Sequence, residues 1–263
     1  MVDSLHLQSA AWALTTALEL VLLFLLLRRK ATANYPWFTA YLISAILQSA
    51  AIAQLHQMTE LDRWTGWELA WGTQAVVTIM RSLAIVELAR KIVGAYSGIW
   101  QLAKRLLQFV AFCVIACALV LSRGQWQWFI LNGVRGFELA AAAVIVSILL
   151  FARFYSLPIR PLPRGLAIGF CMYSSFYVIN YSLLEKIVQQ YADFWNFLGI
   201  ITFIASLLLW ISASAKYVAV EEEVKLVGIP PELYGKLSSQ VNLRLHLLNR
   251  QLMILLNSGE RRP

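Results

Sequence analysis

Charge is what this chain has least of. Only 14% of its 263 residues are Asp, Glu, Lys or Arg, against 60% hydrophobic, and the mean hydropathy is +0.65. A soluble globular domain carries about a quarter charged residues, so that class is excluded and the chain belongs in a bilayer. Histidine is limited to His6, His56 and His246, all outside the middle of any apolar stretch. That leaves no candidates for haem ligation or a HExxH zinc site. Cysteine is limited to Cys113, Cys117 and Cys171, each inside an apolar stretch, and no disulfide framework is suggested. Cys113 and Cys117, one helical turn apart, read as small residues at a packing surface. A P-loop, a Gly-x-Ser-x-Gly elbow and paired intramembrane aspartates are missing as well. A membrane-embedded enzyme has no visible machinery here, and neither a cofactor nor a metal is implied.

What is present is a series of seven apolar stretches, at approximately 5–27, 37–55, 69–89, 106–121, 128–151, 166–184 and 194–215. Each is long enough to cross a hydrocarbon core of about 30 Å at about 1.5 Å per residue, allowing for tilt. The first reads as a retained span and not as a cleavable signal, because its basic cluster, Arg28, Arg29 and Lys30, follows it instead of preceding it. Orientation comes from the segment 151–165, which holds Arg153, Arg160 and Arg164 with Pro158, Pro161 and Pro163. Three prolines so close cannot lie inside a helix, and three arginines without an acid cannot lie in lipid, so this is a loop at a membrane face. Its cations place it in the cytoplasm. The same side then receives Arg28, Arg29, Lys30, Arg90, Lys91, Lys104 and Arg105, while the other receives only Arg63, Arg123 and Lys186. The expectation is an all-α polytopic bundle, residues 1–216, with its N-terminus outside and its C-terminus inside. Trp64, Trp67, Trp71, Trp126, Trp128 and Trp195 form the outer aromatic belt, and Trp37, Trp100 and Trp210 the inner one. The net charge of +8 resides in these short loops, where it meets headgroups; nucleic-acid binding is not indicated.

Residues 217–263 read as a cytoplasmic tail, with Glu221, Glu222 and Glu223 ahead of a break at Pro230 and Pro231. An amphipathic helix is predicted over approximately 232–257, since Val241, Leu245, Leu248, Leu252 and Leu255 recur at alternating four and three spacing. Two heptads are too short to stand alone. The stripe therefore packs on the same segment of a second subunit, on a cytoplasmic protein, on the chain's own spans or on the membrane surface.

Ionisable side chains inside a span are costly and mark where function or a structural clamp resides. Counting about 1.5 Å per residue, Glu19, Arg81 and Glu138 lie about 21, 18 and 15 Å below the outer ends of their helices and share a layer. Arg81 is expected to pair with Glu138 or Glu19, with Arg135, one turn from Glu138, as a competitor. Glu87, near the inner interface, is expected to meet Arg90 or a loop cation. Polar stripes surround the layer: Gln74, Thr78 and Arg81; Tyr41, Ser44 and Gln48; and Tyr173, Tyr177, Asn180 and Tyr181. Lipid offers no hydrogen-bond partner, so these stripes turn inward, either as a clamp that fixes helix register or as a polar cavity for a ligand, ion or proton. Gly165 and Gly169 form a small-xxx-small pair and predict close helix contact.

Seven short-looped spans, with Tyr35-Pro36-Trp37-Phe38-Thr39-Ala40-Tyr41-Leu42 opening the second, Glu87-Leu88-Ala89-Arg90 closing the third, and Phe151-Ala152-Arg153 leading to Leu157-Pro158-Ile159-Arg160, resemble a family of uncharacterised bacterial seven-span membrane proteins. The resemblance implies a bacterial cytoplasmic (inner) membrane protein and brings no site residues with it. The shape also resembles membrane sensor modules of bacterial signalling proteins. A non-enzymatic sensing or adaptor role, with an internal polar cavity and a partner-binding tail, is the leading expectation. A small-solute or proton carrier using Glu19, Arg81 and Glu138 is the alternative, disfavoured because no inverted repeat is visible.

Overall fold

The computed structural model describes residues 2–57, 63–94, 97–155, 157, 159–184, 192–217, 247–251 and 254. All the regular structure in these residues is helical: α1 (Val2–Arg28), α2 (Pro36–Gln57), α3 (Arg63–Val93), α4 (Ser97–Ser122), α5 (Trp126–Phe154), α6 (Pro161–Leu184) and α7 (Ala192–Ala215). A further helical piece spans 247–251. Five helices contain stretches long and apolar enough to cross a membrane: Ala10–Arg28, Pro36–Gln54, Gly98–Ser122, Trp126–Phe154 and Phe197–Ala215. They mark the chain as a multi-pass membrane protein. α3 and α6 are not among these five. They are the helices that carry Gln74, Thr78 and Arg81, and Tyr173, Ser174 and Tyr177, to the interior.

Helices run past the predicted span ends, because backbone hydrogen bonding continues into water wherever the residues are good helix formers. The largest difference is at α4, which begins at Ser97, so Lys104 and Arg105 sit on its second and third turns instead of in a loop. The proline-rich hinge also differs from expectation. Pro161 is the first residue of α6 and Pro163 lies in its first turn. An amide at those positions has no partner within the helix, so proline loses nothing there, and its fixed φ favours the helix start. At the end of α1, Lys30 takes a left-handed φ of 52° and the amide of Ala31 donates to the carbonyl of Leu26 at 2.9 Å. This closes the helix and turns the chain sharply toward α2.

Connections of three to seven residues make successive helices antiparallel. α1, α2, α3, α5, α6 and α7 form a ring in that order, closed by α7 against α1, and α3 also reaches across to α6. α4 lies outside the ring against α5, with a lesser contact to α3. The core inside the ring includes Leu22, Leu26, Phe38, Tyr41, Ile145, Phe170, Leu207 and Trp210. Outward residues are equally apolar: Phe109, Phe112, Val120 and Phe154 are largely exposed, an arrangement that lipid accepts and water does not.

Gly165 and Gly169 let α6 and α7 approach closely. A β-carbon on Gly165 would lie 2.4 Å from Ala213 Cβ, and one on Gly169 would lie 2.2 Å from Trp210 Nε1. Trp210 occupies the space so created and donates from Nε1 to the carbonyl of Leu166 at 3.2 Å. It is fully buried, which corrects its assignment to the inner interfacial belt: the groove along the two glycines gives the indole a place inside. Cys117, by contrast, is exposed on α4, away from the packing surface expected for it, because α4 turns that face out of the ring.

Candidate functional site

Arg81 on α3 and Glu138 on α5 form an ion pair in the bundle interior, Arg81 Nη1 donating to Glu138 Oε1, with the two side chains only 2% and 1% exposed. The second oxygen of Glu138 accepts from Ser174 Oγ of α6 at 3.1 Å. One carboxylate thus joins three helices. The guanidinium also lies against three aromatic rings, 4.6 Å from the centroid of Tyr173, 5.6 Å from Tyr41 and 5.9 Å from Tyr177. Ring faces carry negative potential, so the tyrosines add to the neutralisation of Arg81 where water is excluded. Arg81 Nε is buried without a hydrogen-bond partner among the described residues.

Of the two acids expected to compete for Arg81, the structure selects Glu138. α5 stands beside α3, whereas α1 stands between α2 and α7. Glu19 therefore remains apart: it is 3% exposed, and its Oε2 has no hydrogen-bond partner among the described residues. Arg135 is half-buried on α5, one turn from Glu138. Gln48 Nε2 donates to Gln74 Oε1 at 2.9 Å, tying α2 to α3. Thr78 is buried one turn before Arg81, and its hydroxyl has no partner among the described residues. Asn180 and Tyr181 lie on α6, with side chains outside the described residues.

A cavity of about 360 Å³ opens among these groups. Glu19, Tyr41, Gln48, Gln74, Arg81, Tyr173 and Tyr177 give it its polar wall, with Trp12, Phe176 and Phe203 on the apolar side. It lies between Arg81 and the end of the bundle where α1 begins. Toward the other end the interior is filled by rings: Phe38, Tyr41, Phe170 and Trp210 contact one another with centroids 4.8 to 6.2 Å apart. The cavity is therefore a well with an aromatic floor. Its volume is at the low end of the roughly 300–1,000 Å³ typical of small-molecule sites. No group of three metal-ligating side chains comes together among the described residues.

Two polar contacts differ from expectation or escape it. Glu87 has Lys91 nearby, one of the loop cations expected as its partner, but its hydrogen bonds go to backbone amides. Its Oε2 accepts from the backbone N–H of Phe38 at 3.0 Å, and its carboxylate also meets the N–H of Trp37. A carboxylate from α3 thus caps the start of α2, where free amides and the helix dipole favour an anion, with Lys91 as the nearby cation. Ser174 gave no signal in the sequence, since serines in apolar helices ordinarily bond to their own backbone, as Ser44 and Ser82 do here.

Of the tail face, Val241, Leu245, Leu252 and Leu255 lie outside the described residues. Leu248 is half-buried, while Leu247 and Ile254 are exposed. Beside Leu248, Asn249 Oδ1 accepts from the backbone N–H of Gly98 at 2.7 Å, at the start of α4. Asparagine is thereby supplied to α4 as a capping side chain from elsewhere in the chain. Comparison with protein-family models, with curated proteins and with solved structures finds no match to this chain.

Proposed function

We propose that the chain is a seven-span protein of a bacterial cytoplasmic membrane, with its N-terminus outside and its tail inside, that senses a small ligand or acts as an adaptor without catalysing a reaction. The cavity is the observation that carries this reading. It has polar groups on its wall and a charged pair at its depth, and it stops at an aromatic floor. A receptor needs a pocket reached from one side; a carrier needs a path to both. The filled interior below Tyr41 supports the first. α3 and α6 count as spans because their polar residues face the ring interior, which hydropathy alone does not register. The tail contact at Gly98 supports a role for the C-terminal helix as the part that meets a partner, either a second copy or a cytoplasmic protein, from the inner end of α4.

Reconstituted vesicles separate this reading from the carrier alternative. With a pH-sensitive dye trapped inside, wild type should move no protons above the background of empty vesicles. A flux that appears with wild type and vanishes with Glu138→Gln would overturn the sensor reading in favour of the carrier.

A further inference from the structure

We infer that the cavity selects a small organic cation, an amine or quaternary ammonium, and that Glu19 is the group that recognises its charge. This rests on the cavity being a binding site. Among the described residues, the titratable groups at its wall are Glu19, Arg81, Tyr41, Tyr173 and Tyr177, with Glu138 behind Arg81. Arg81 has its charge matched, although its Nε has no hydrogen-bond partner among the described residues: Glu138 is its counter-ion and three tyrosine rings lie over it. Glu19 is not matched in this way. It is 3% exposed, it lines the cavity, and its Oε2 has no hydrogen-bond partner among the described residues.

Burying a carboxylate with an oxygen left unpartnered is costly, and a cation bound beside it would offset that cost. The surroundings define what that is. Of the two charged side chains on the cavity wall among the described residues, Arg81 has its counter-ion in Glu138 and Glu19 faces the cavity without one, so a ligand cation offsets the charge of Glu19 and an anion does not. Aromatic side chains line the wall, and the three tyrosines already lie over a guanidinium; Trp12 and Phe176 add rings of the kind that attract an ammonium group. Gln48 and Gln74 stand ready to bond a polar substituent on the ligand. The small volume restricts the body of the ligand to a few carbons or a single ring.

Charge alone is enough to test this, whatever the natural ligand is. Cys113, Cys117 and Cys171 are replaced by alanine in the full chain, and Gln48→Cys places a single thiol on the cavity wall. Its modification by 2-(trimethylammonium)ethyl methanethiosulfonate and by 2-sulfonatoethyl methanethiosulfonate is timed, each rate being divided by that reagent's rate with a free small thiol. The cationic reagent should be favoured about tenfold, as expected for one nearby charge in a medium of intermediate dielectric. Glu19→Gln should remove that preference. As a second measurement that does not depend on this variant folding, phenethylammonium should slow labelling in the Glu19 background and phenylacetate should not. Equal rates, a faster anionic reagent, a preference that survives Glu19→Gln, or protection by phenylacetate alone would overturn the cation assignment and leave the cavity as a site of other chemistry. If neither reagent reaches the thiol, the cavity is closed to solutes, and the sensing proposal falls together with this one.

Discussion

Arg81 has its charge met on two sides, by the acid of Glu138 and by tyrosine rings, while its Nε has no hydrogen-bond partner among the described residues. Removing one member of such a buried pair strands the other. Arg81→Met or Glu138→Leu alone should each lower stability by about 3–5 kcal/mol. Combining them should cost much less than the sum, because no charge is left behind. Thermal unfolding of the four proteins in one detergent measures this, and strictly additive losses would mean that the pair is not coupled. That Glu19, Arg81 and Glu138 share a layer was legible from spacing alone, since a charge inside an apolar stretch stands out and a rise of about 1.5 Å per residue fixes its depth. Which acid receives the arginine was not legible. The choice depends on the lateral order of helices, and depth says nothing about who stands beside whom. The same gap explains Glu87, whose partner is the start of another helix and so has no side chain to find in a sequence.

Between α6 and α7 the approach is set by two missing β-carbons. Gly169→Ala would place a methyl group 2.2 Å from Trp210 Nε1, so the indole must move and its bond to the Leu166 carbonyl is lost. We expect a loss of about 1–3 kcal/mol. Gly72→Ala on α3, where nothing lies within 4 Å, should instead be neutral or gain up to about 1 kcal/mol. Melting midpoints of the two variants in the same detergent give the comparison; equal shifts would show that the close approach is not what matters at Gly169. The glycine spacing was readable as a contact. Helix ends were less so, because hydropathy marks where lipid stops and hydrogen bonding marks where the helix stops. At α4 these differ by nine residues, 97 against 106.

As a whole molecule, the bundle is a ring of six helices with α4 outside it, and its orientation rests on the uneven sharing of cations between loops. An alkaline phosphatase fused after Glu60 should be active and one fused after Pro161 inactive; the reverse would invert every outer and inner assignment above. The helical class and the apolar helices follow from composition, whereas the peripheral place of α4 follows from nothing in its sequence, since its outward residues resemble those of any span. That place does bear on how the molecule is made. Glu138 is synthesised 57 residues after Arg81. At about 5–20 residues per second, Arg81 is made roughly 3 to 11 s before its counter-ion exists. Through that interval α3 carries an unmatched cation worth roughly 2.5–3.5 kcal/mol against residence in lipid. As one of the seven spans proposed above, α3 would be a provisional one until α5 follows, and α4, made in between, lies aside from the contact of α3 with α5.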